Sequence, residues 1–317
     1  MKYYGFFMVI ISILCASCIN FKPEPVYDNI IEIDYQPFKN GTKAVVLPET
    51  STLKLENNLP RLDGATALYP LYAAFVQAVY PEGDYYPHRY ELPLVAVSRT
   101  SRAYENLING KVDIIFCAKP SDEQVKIAKE KGIDFHMTPI GREAFVFFVN
   151  KRNQVSNLTT EQIRNIYSGQ ITNWSELGGR KNEIRIFQRP KNSGSQTMLE
   201  SIMGDFDIIE PITENVLGGM FDIVNQTAVY RNYGNALGYS FLFYTTQMVM
   251  NDKIKLLAID NIFPSIETIQ NDTYPYTDEF FAITINTENE NIEIFINWIL
   301  SEQGQYLVEK TGYVPIK

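Results

Sequence analysis

From about Leu55 onward, segments with the period of a strand alternate with segments with the period of a helix, which restricts the chain to layered sheet and helix. Residues 59–62 read as extended, and residues 67–79 place Leu68, Leu71, Tyr72, Phe75, Val76 and Val79 on one helical face. Residues 91–97 predict a strand, 101–109 a helix closed by Gly110, and 112–117 a further strand. Ser121 with Gln124, and Thr159 with Gln162, have the spacing of a capping box, in which each side chain accepts the other residue's backbone N–H. Both positions predict helix starts. This order is that of an α/β fold, so largely parallel strand pairing is expected. The aromatic stretches at 239–244 and 279–285 fit core strands better than platforms for stacked bases.

Three switches from strand to helix run through turns of small residues. In residues 187–197, FQRPKNSGSQT, Arg189 stands four positions before Ser193, Gly194 and Ser195, and the apolar residues Met198, Leu199, Ile202 and Met203 follow at helical spacing. A helix start leaves backbone N–H groups without intrahelical partners and carries roughly half a positive charge. Gly194 lets the backbone approach a ligand, the two serines add donors, and Arg189 supplies a charged fork that fits a tetrahedral oxyanion. A second turn, LDGATA at 62–67, puts Thr66 and the Ala67 N–H at a helix start, with Asp63 beside them. A third, SRTSR at 98–102, does the same for Thr100, flanked by Arg99 and Arg102. Ligands of such sheets lie beyond the carboxyl ends of the strands, so three starts can converge on one small anion. Taken singly, each is also the pattern of ordinary capping.

Composition narrows the function. The 317 residues suffice for two domains, and the net charge of −9 disfavours nucleic acid or an anionic membrane surface as a broad electrostatic partner. An anion site here has to work against the overall field. Only His88 and His136 are present, in no metal-ligand or catalytic spacing, and nucleotide-loop and hydrolase-elbow patterns are missing. No enzyme, cofactor or metal is therefore expected, and Ser195 lacks a histidine partner as a nucleophile.

The N-terminus reads as a leader. Lys2 precedes an apolar run at 6–14 that is too short to span a bilayer, and LCASC at 14–18 is similar to a bacterial lipobox, with Cys15 where a leucine is usual. Residues 1–17 are thus expected to be a lipoprotein signal peptide and Cys18 the acylated first residue of the mature chain, held on a membrane through its lipid. Cys117 would then be the only free thiol, a buried small hydrophobe rather than a nucleophile. Residues 18–54, with Pro23, Pro25, Pro37 and Pro48 and no sustained period, are expected to be a tether.

From about Leu59 to the C-terminus the chain resembles the phosphate-binding proteins of bacterial phosphate ABC importers. The similar segments, in the family's order, are DGATALYPLY, NGKVDI, VSNLTTEQIRNIYSGQITNWSELGG, RPKNSGSQT, ALGYSFLFY and EKTGYVPI. The resemblance implies the two-lobed periplasmic-binding-protein fold of type II, in which two α/β lobes close about a hinge on a dehydrated oxyanion in the cleft between them. Lobe I would comprise 55–138 and 246–317 and lobe II 139–245, with crossings near Pro139 and Thr245. Phosphate contacts are implied for Thr66, the Ala67 N–H, Thr100, Arg189, Ser193, Gly194 and Ser195. The family's aspartate, which accepts the proton of hydrogen phosphate, aligns with Ala118, and Lys119 follows it. Discrimination against sulfate, which has no proton to give, then falls to another group such as Asp63 or is lost. Lys119 and Arg142 are further candidate ligand contacts, and Arg99 and Arg102 stand where the family has small residues. The resemblance implies an extracytoplasmic, lipid-anchored monomer that passes inorganic phosphate to ABC permease subunits. A binder of sulfate or another tetrahedral oxyanion, and a surface sensor or adhesion lipoprotein of the same fold, are the alternatives.

Overall fold

Two strands lying side by side in opposite directions join the two halves of the molecule. The computed structural model describes residues 28–229, 235–286 and 288–316, so the expected signal peptide, Cys18 and the start of the expected tether lie outside the described residues. The strands are β1 (Leu62–Gly64), β2 (Ile114–Cys117), β3 (His136–Asn150), β4 (Asn157–Leu158), β5 (Arg185–Ile186), β6 (Ala236–Phe241), β7 (Ile254–Leu256), β8 (Ala258–Ile259) and β9 (Thr277–Thr284). They pair in the order β1-β2-β9-β3-β6-β5, with β7 also on β3 and with β4 on β8 separately. The helices are α1 (Asp28–Ile33), α2 (Tyr69–Val79), α3 (Arg99–Ile108), α4 (Asp122–Glu130), α5 (Thr160–Tyr167), α6 (Gly194–Met203), α7 (Met220–Val229), α8 (Ile266–Gln270), α9 (Asn291–Ile299) and α10 (Glu302–Thr311).

The expectation of largely parallel pairing is corrected by this topology. Pairing is parallel for β1 with β2, β5 with β6, and β4 with β8. It is antiparallel wherever β3 or β9 takes part. The reason is the connectivity: helices cross between β1 and β2 and between β5 and β6, which lets each pair lie parallel, whereas β9 brings the chain back along β3 in the opposite sense. The strand expected at 91–97 shrinks to a single bridge between Leu62 and Val95, because Pro93 carries no N–H for a longer ladder. Both capping boxes form, at Ser121 with Gln124 and at Thr159 with Gln162.

Along β3, residues 136–144 pair with β9 and residues 145–149 pair with β6. The first stretch carries a core containing Phe75, Phe116, Phe280, Phe295 and Trp298, and the second a core containing Phe147, Tyr167, Trp174, Leu199 and Tyr239. A smaller cluster, with Tyr104, Leu107, Cys117 and Phe281, lies under α3. Part of the stretch expected as a tether is packed: α1 is followed by Tyr35 and Ala44, both buried in the first core, while most of 39–50 is exposed. Its apolar residues are unevenly spaced and so carry no period. The sequence places the return crossing near Thr245, where Phe243 and Tyr244 do meet the first core. The chain then goes back: Leu257, Ile259, Ile269, Tyr274 and Tyr276 all lie in the second core, and β9 makes the return.

Glu143 sits on β3 where the strand leaves the first core, buried, with the Phe243 N–H donated to its Oε1 at 2.7 Å. Burial pushes its carboxyl up from an ordinary 4.5 to about 8. A raised carboxyl pKa makes the folded state hold a proton that the unfolded chain releases, so stability is lost as pH rises between these two values. The substitution Glu143→Gln should remove that loss. Comparing unfolding midpoints at pH 5 and pH 8 should show the variant gaining on the native chain at the higher pH, by on the order of a few kcal/mol at most. Parallel pH dependence in the two proteins would contradict this.

Candidate functional site

Each of the three helix starts is fixed by a local constraint. At the end of β1, a Cβ on Gly64 would come within 2.6 Å of the Phe116 carbonyl oxygen, so glycine is what lets β1 lie this close to β2. The chain then turns at Ala65 into a short 3-10 turn, Thr66–Leu68, which leads into α2 with Pro70 in its first turn. Tyr313, from the C-terminal EKTGYVPI segment, donates its hydroxyl to the Ala67 carbonyl and holds this start from behind.

Asp63 ties the first start to the second. Its carboxylate accepts N–H groups from Gly64 at 2.8 Å, Ser98 at 2.7 Å and the Asn106 amide at 2.8 Å. Burial raises its pKa, and these three hydrogen bonds act in the opposite direction. α3 therefore begins directly beside the β1 turn, with Thr100 buried in its first turn. Arg99 enters this helix with φ of 69°, a left-handed conformation that is costly for a residue with a Cβ.

At the third start, the Ser193 hydroxyl caps α6 by accepting the Gln196 N–H. Arg189 is 8% exposed. Its backbone N–H is shared between Gln196 Oε1 at 2.9 Å and the Tyr239 hydroxyl at 3.0 Å, and its Nη2 donates to the Gly218 carbonyl at 3.0 Å. Tyr239 comes from β6 in the second core, so the arginine is held by the sheet as well as by α6 and Gly218.

These starts meet in one cleft of about 850 Å³, lined by Thr66, Ala67, Thr100, Arg189, Ser193, Gly194 and Ser195. A Cβ on Gly194 would stand 3.0 Å from Thr100 Oγ1, so the start of α6 faces the start of α3 across van der Waals distance. The two sides are also bridged. Asn192, in the left-handed region with φ of 65°, donates its amide to Glu123 at 2.9 Å and accepts the Ser121 hydroxyl at 2.7 Å. The sequence marks Ser121 only as the cap of α4, and gives neither Asn192 nor Glu123 a role. The one local signal is that Asn192 precedes the capping Ser193, and its partners lie about seventy positions away.

Other candidates from the sequence are engaged elsewhere. Asp63 is wholly buried in the bonds just described. Lys119 pairs with Asp278 at 2.9 Å and lies over the Phe281 ring, and Arg142 pairs with Asp272 at 2.5 Å. None of these three lines the cleft. Ala118 faces a small cavity of about 30 Å³ with Thr100, Glu143 and Gly194, roughly the space of one water. Among the described residues of the cleft wall, Arg89, Arg99, Arg102, Lys111, Arg189 and Lys191 stand with a single carboxylate, that of Glu105, and Arg89 pairs with Asp84 at 2.5 Å. The cleft is thus locally cationic in a chain of net charge −9. Among the described residues, no group of three or more His, Cys, Asp or Glu side chains could hold a metal ion, and no helix is long and apolar enough to cross a membrane.

Removing the carboxylate that joins two of the starts should be costly. Asp63→Ala leaves the Ser98 N–H and the Asn106 amide without their acceptor in a buried place, and should lower stability by about 3 kcal/mol or more in urea unfolding. A loss below about 0.5 kcal/mol would contradict the positioning role given to Asp63.

The family described as PBP superfamily domain matches residues 58–303. The chain is 25% identical over 218 residues to the phosphate-binding protein PstS of Borreliella burgdorferi, covering 66% of this chain and 76% of that protein. It is 26% identical over 198 residues to the phosphate-binding protein PstS of Bacillus subtilis strain 168, covering 62% of each. Its fold is similar to that of an ABC-type phosphate transport receptor from Vibrio cholerae, with a TM-score of 0.57, 20% identity, and coverage of 80% of this chain and 98% of that one.

Proposed function

The chain belongs to the PBP superfamily, and on that premise we propose that it is the extracytoplasmic substrate-binding protein of a phosphate ABC importer, capturing inorganic phosphate between two lobes. The observation that carries the reading is the convergence of three separate helix starts and one buried arginine on a single cleft. The relatives named as phosphate-binding proteins support the choice of ligand. Phosphate is held by the Thr66 and Thr100 hydroxyls and the Ala67 N–H on one side, and by Arg189, Ser193, Gly194 and Ser195 on the other. Charge-assisted hydrogen bonds contribute about 1.5–3 kcal/mol each, and a micromolar dissociation constant needs only about 8 kcal/mol net. Several such bonds offset the desolvation of a small dianion, with no covalent chemistry.

The lobes are proposed to follow the two cores, with β3 and β9 as the strands that flex between them. A ligand that touches both sides binds the closed arrangement better than an open one and so drives closure. Cys18 is proposed as the lipid-bearing residue that keeps a monomer on the outer face of a membrane near its permease.

A sulfate-binding reading has one observation in its favour: among the described residues lining the cleft the one carboxylate is that of Glu105 on α3, and Glu143, in the adjoining cavity with Thr100 and Gly194, is held largely neutral at pH 7, so it does not repel an unprotonated dianion. Calorimetric titration of the anion-stripped chain tests the main reading. Phosphate should bind, and Arg189→Ala should weaken it at least about tenfold, the loss of one charge-assisted contact. Unchanged affinity in the variant would remove Arg189 from the site, and displacement of phosphate by equimolar sulfate would favour the broader oxyanion binder.

A further inference from the structure

The cleft is far larger than the anion proposed for it. Five heavy atoms need at most roughly 150 Å³, even at the ~30 Å³ that each water takes in the liquid, against about 850 Å³ available. An open hinge is not the source of this surplus. The start of α6 already faces Thr100 at contact distance, and Asn192 already bridges to Ser121 and Glu123. The spare volume is lined by α3, from Arg99 to Glu105, with Lys111 beyond the helix end, and by the 87–93 segment that carries His88, Arg89 and Leu92. Ten residues of helix are roughly 15 Å long, several times the reach of one phosphate.

The chemistry of that outer region is as one-sided as that of the inner end. Arg99 and Arg102 are one turn apart on α3, Lys111 follows the helix, and Lys191 comes from the opposite wall. Arg102, Lys111 and Lys191 are exposed, so their charges cost little to keep and are free to close on a ligand. The strained backbone of Arg99 is the kind of local cost that is retained where a side chain must point in one direction. Exposed cations on an acidic protein are ordinary, but besides Arg189 and the Asp84-paired Arg89, four line this cleft against one carboxylate and concentrate positive potential where its low-dielectric walls focus it.

We propose that the outer half of the cleft is a second anion subsite, built by Arg99, Arg102, Lys111 and Lys191, and that beside inorganic phosphate the cleft takes a phosphorylated small molecule carrying a second anionic group. The inference rests on the phosphate site proposed above, which holds the phosphoryl end. The second group, a carboxylate or another phosphate, meets the cationic side chains farther along α3. Arg102 and Lys111 then determine which phosphorylated compounds are preferred, while the inner site stays the same.

Calorimetry on the whole mature chain with three probes tests this: inorganic phosphate, glycerol 3-phosphate and 3-phosphoglycerate, the last two similar in size and differing in a terminal carboxylate. 3-Phosphoglycerate should bind at least about tenfold more tightly than glycerol 3-phosphate. Replacing both Arg102 and Lys111 by Ala should erase that ratio while leaving phosphate affinity within about twofold. Phosphate binding with both esters excluded, or bound equally, overturns the subsite alone, as does a ratio unchanged in the double variant. Binding of 3-phosphoglycerate with no measurable phosphate binding supports the subsite and replaces inorganic phosphate as the ligand. Failure of all three probes to bind overturns the subsite and the phosphate reading together. Because Arg102 and Lys111 are exposed, circular dichroism of the double variant should match that of the native chain.

Discussion

Everything in this molecule is hung on the antiparallel pairing of β3 with β9. β3 passes from one core to the other without a break in its ladder, apart from a register shift between Pro139 and Gly141. A continuous strand shared by two cores sets their separation, and that separation creates the cleft. The helix starts that line the cleft come from the βαβ-like units on either side, where β1 feeds α2 and where the chain after β5 feeds α6. Bulges and shifts of register are where a shared strand bends most easily, so the same feature that joins the halves is the natural place for them to move.

The cleft concentrates charge by geometry rather than by composition. The chain is acidic overall, yet the carboxylates near the helix starts are turned away from the cleft. Asp63 spends its charge on the N–H groups of Gly64 and Ser98 and on the Asn106 amide, and Glu143 is buried and held largely neutral at pH 7. Asp278 is occupied by Lys119. What remains lining the cleft, apart from the Glu105 carboxylate, are N–H groups, hydroxyls and guanidinium or ammonium groups, the donor set that an oxyanion requires.

The parts legible in the sequence are those whose causes are local. Capping boxes at Ser121 and Thr159 form because both partners lie within one turn. The same locality explains why Thr66, Thr100, Arg189 and the 193–195 turn could be picked out one by one as helix starts, and their order in an α/β chain suggested convergence. Strand direction was not legible, because an apolar strand has the same period whichever way it runs, and β9 meets β3 more than a hundred positions away in the chain. The packing of Tyr35 and Ala44 into the first core left no period to read. The roles of Lys119 and Arg142 were likewise hidden, since their partners Asp278 and Asp272 are distant in sequence. The bridge from Asn192 to Ser121 and Glu123 escaped notice for the same reason.

The central claim is that one oxyanion is held from both sides of the cleft at once. A crystal structure of the chain grown with phosphate tests it most directly. The account predicts a tetrahedral density peak with its oxygens about 2.7–3.0 Å from Thr66 or Thr100 on one side and from Arg189 and the 193–195 turn on the other. Phosphate found on one side only, or away from the start of α6, would contradict it.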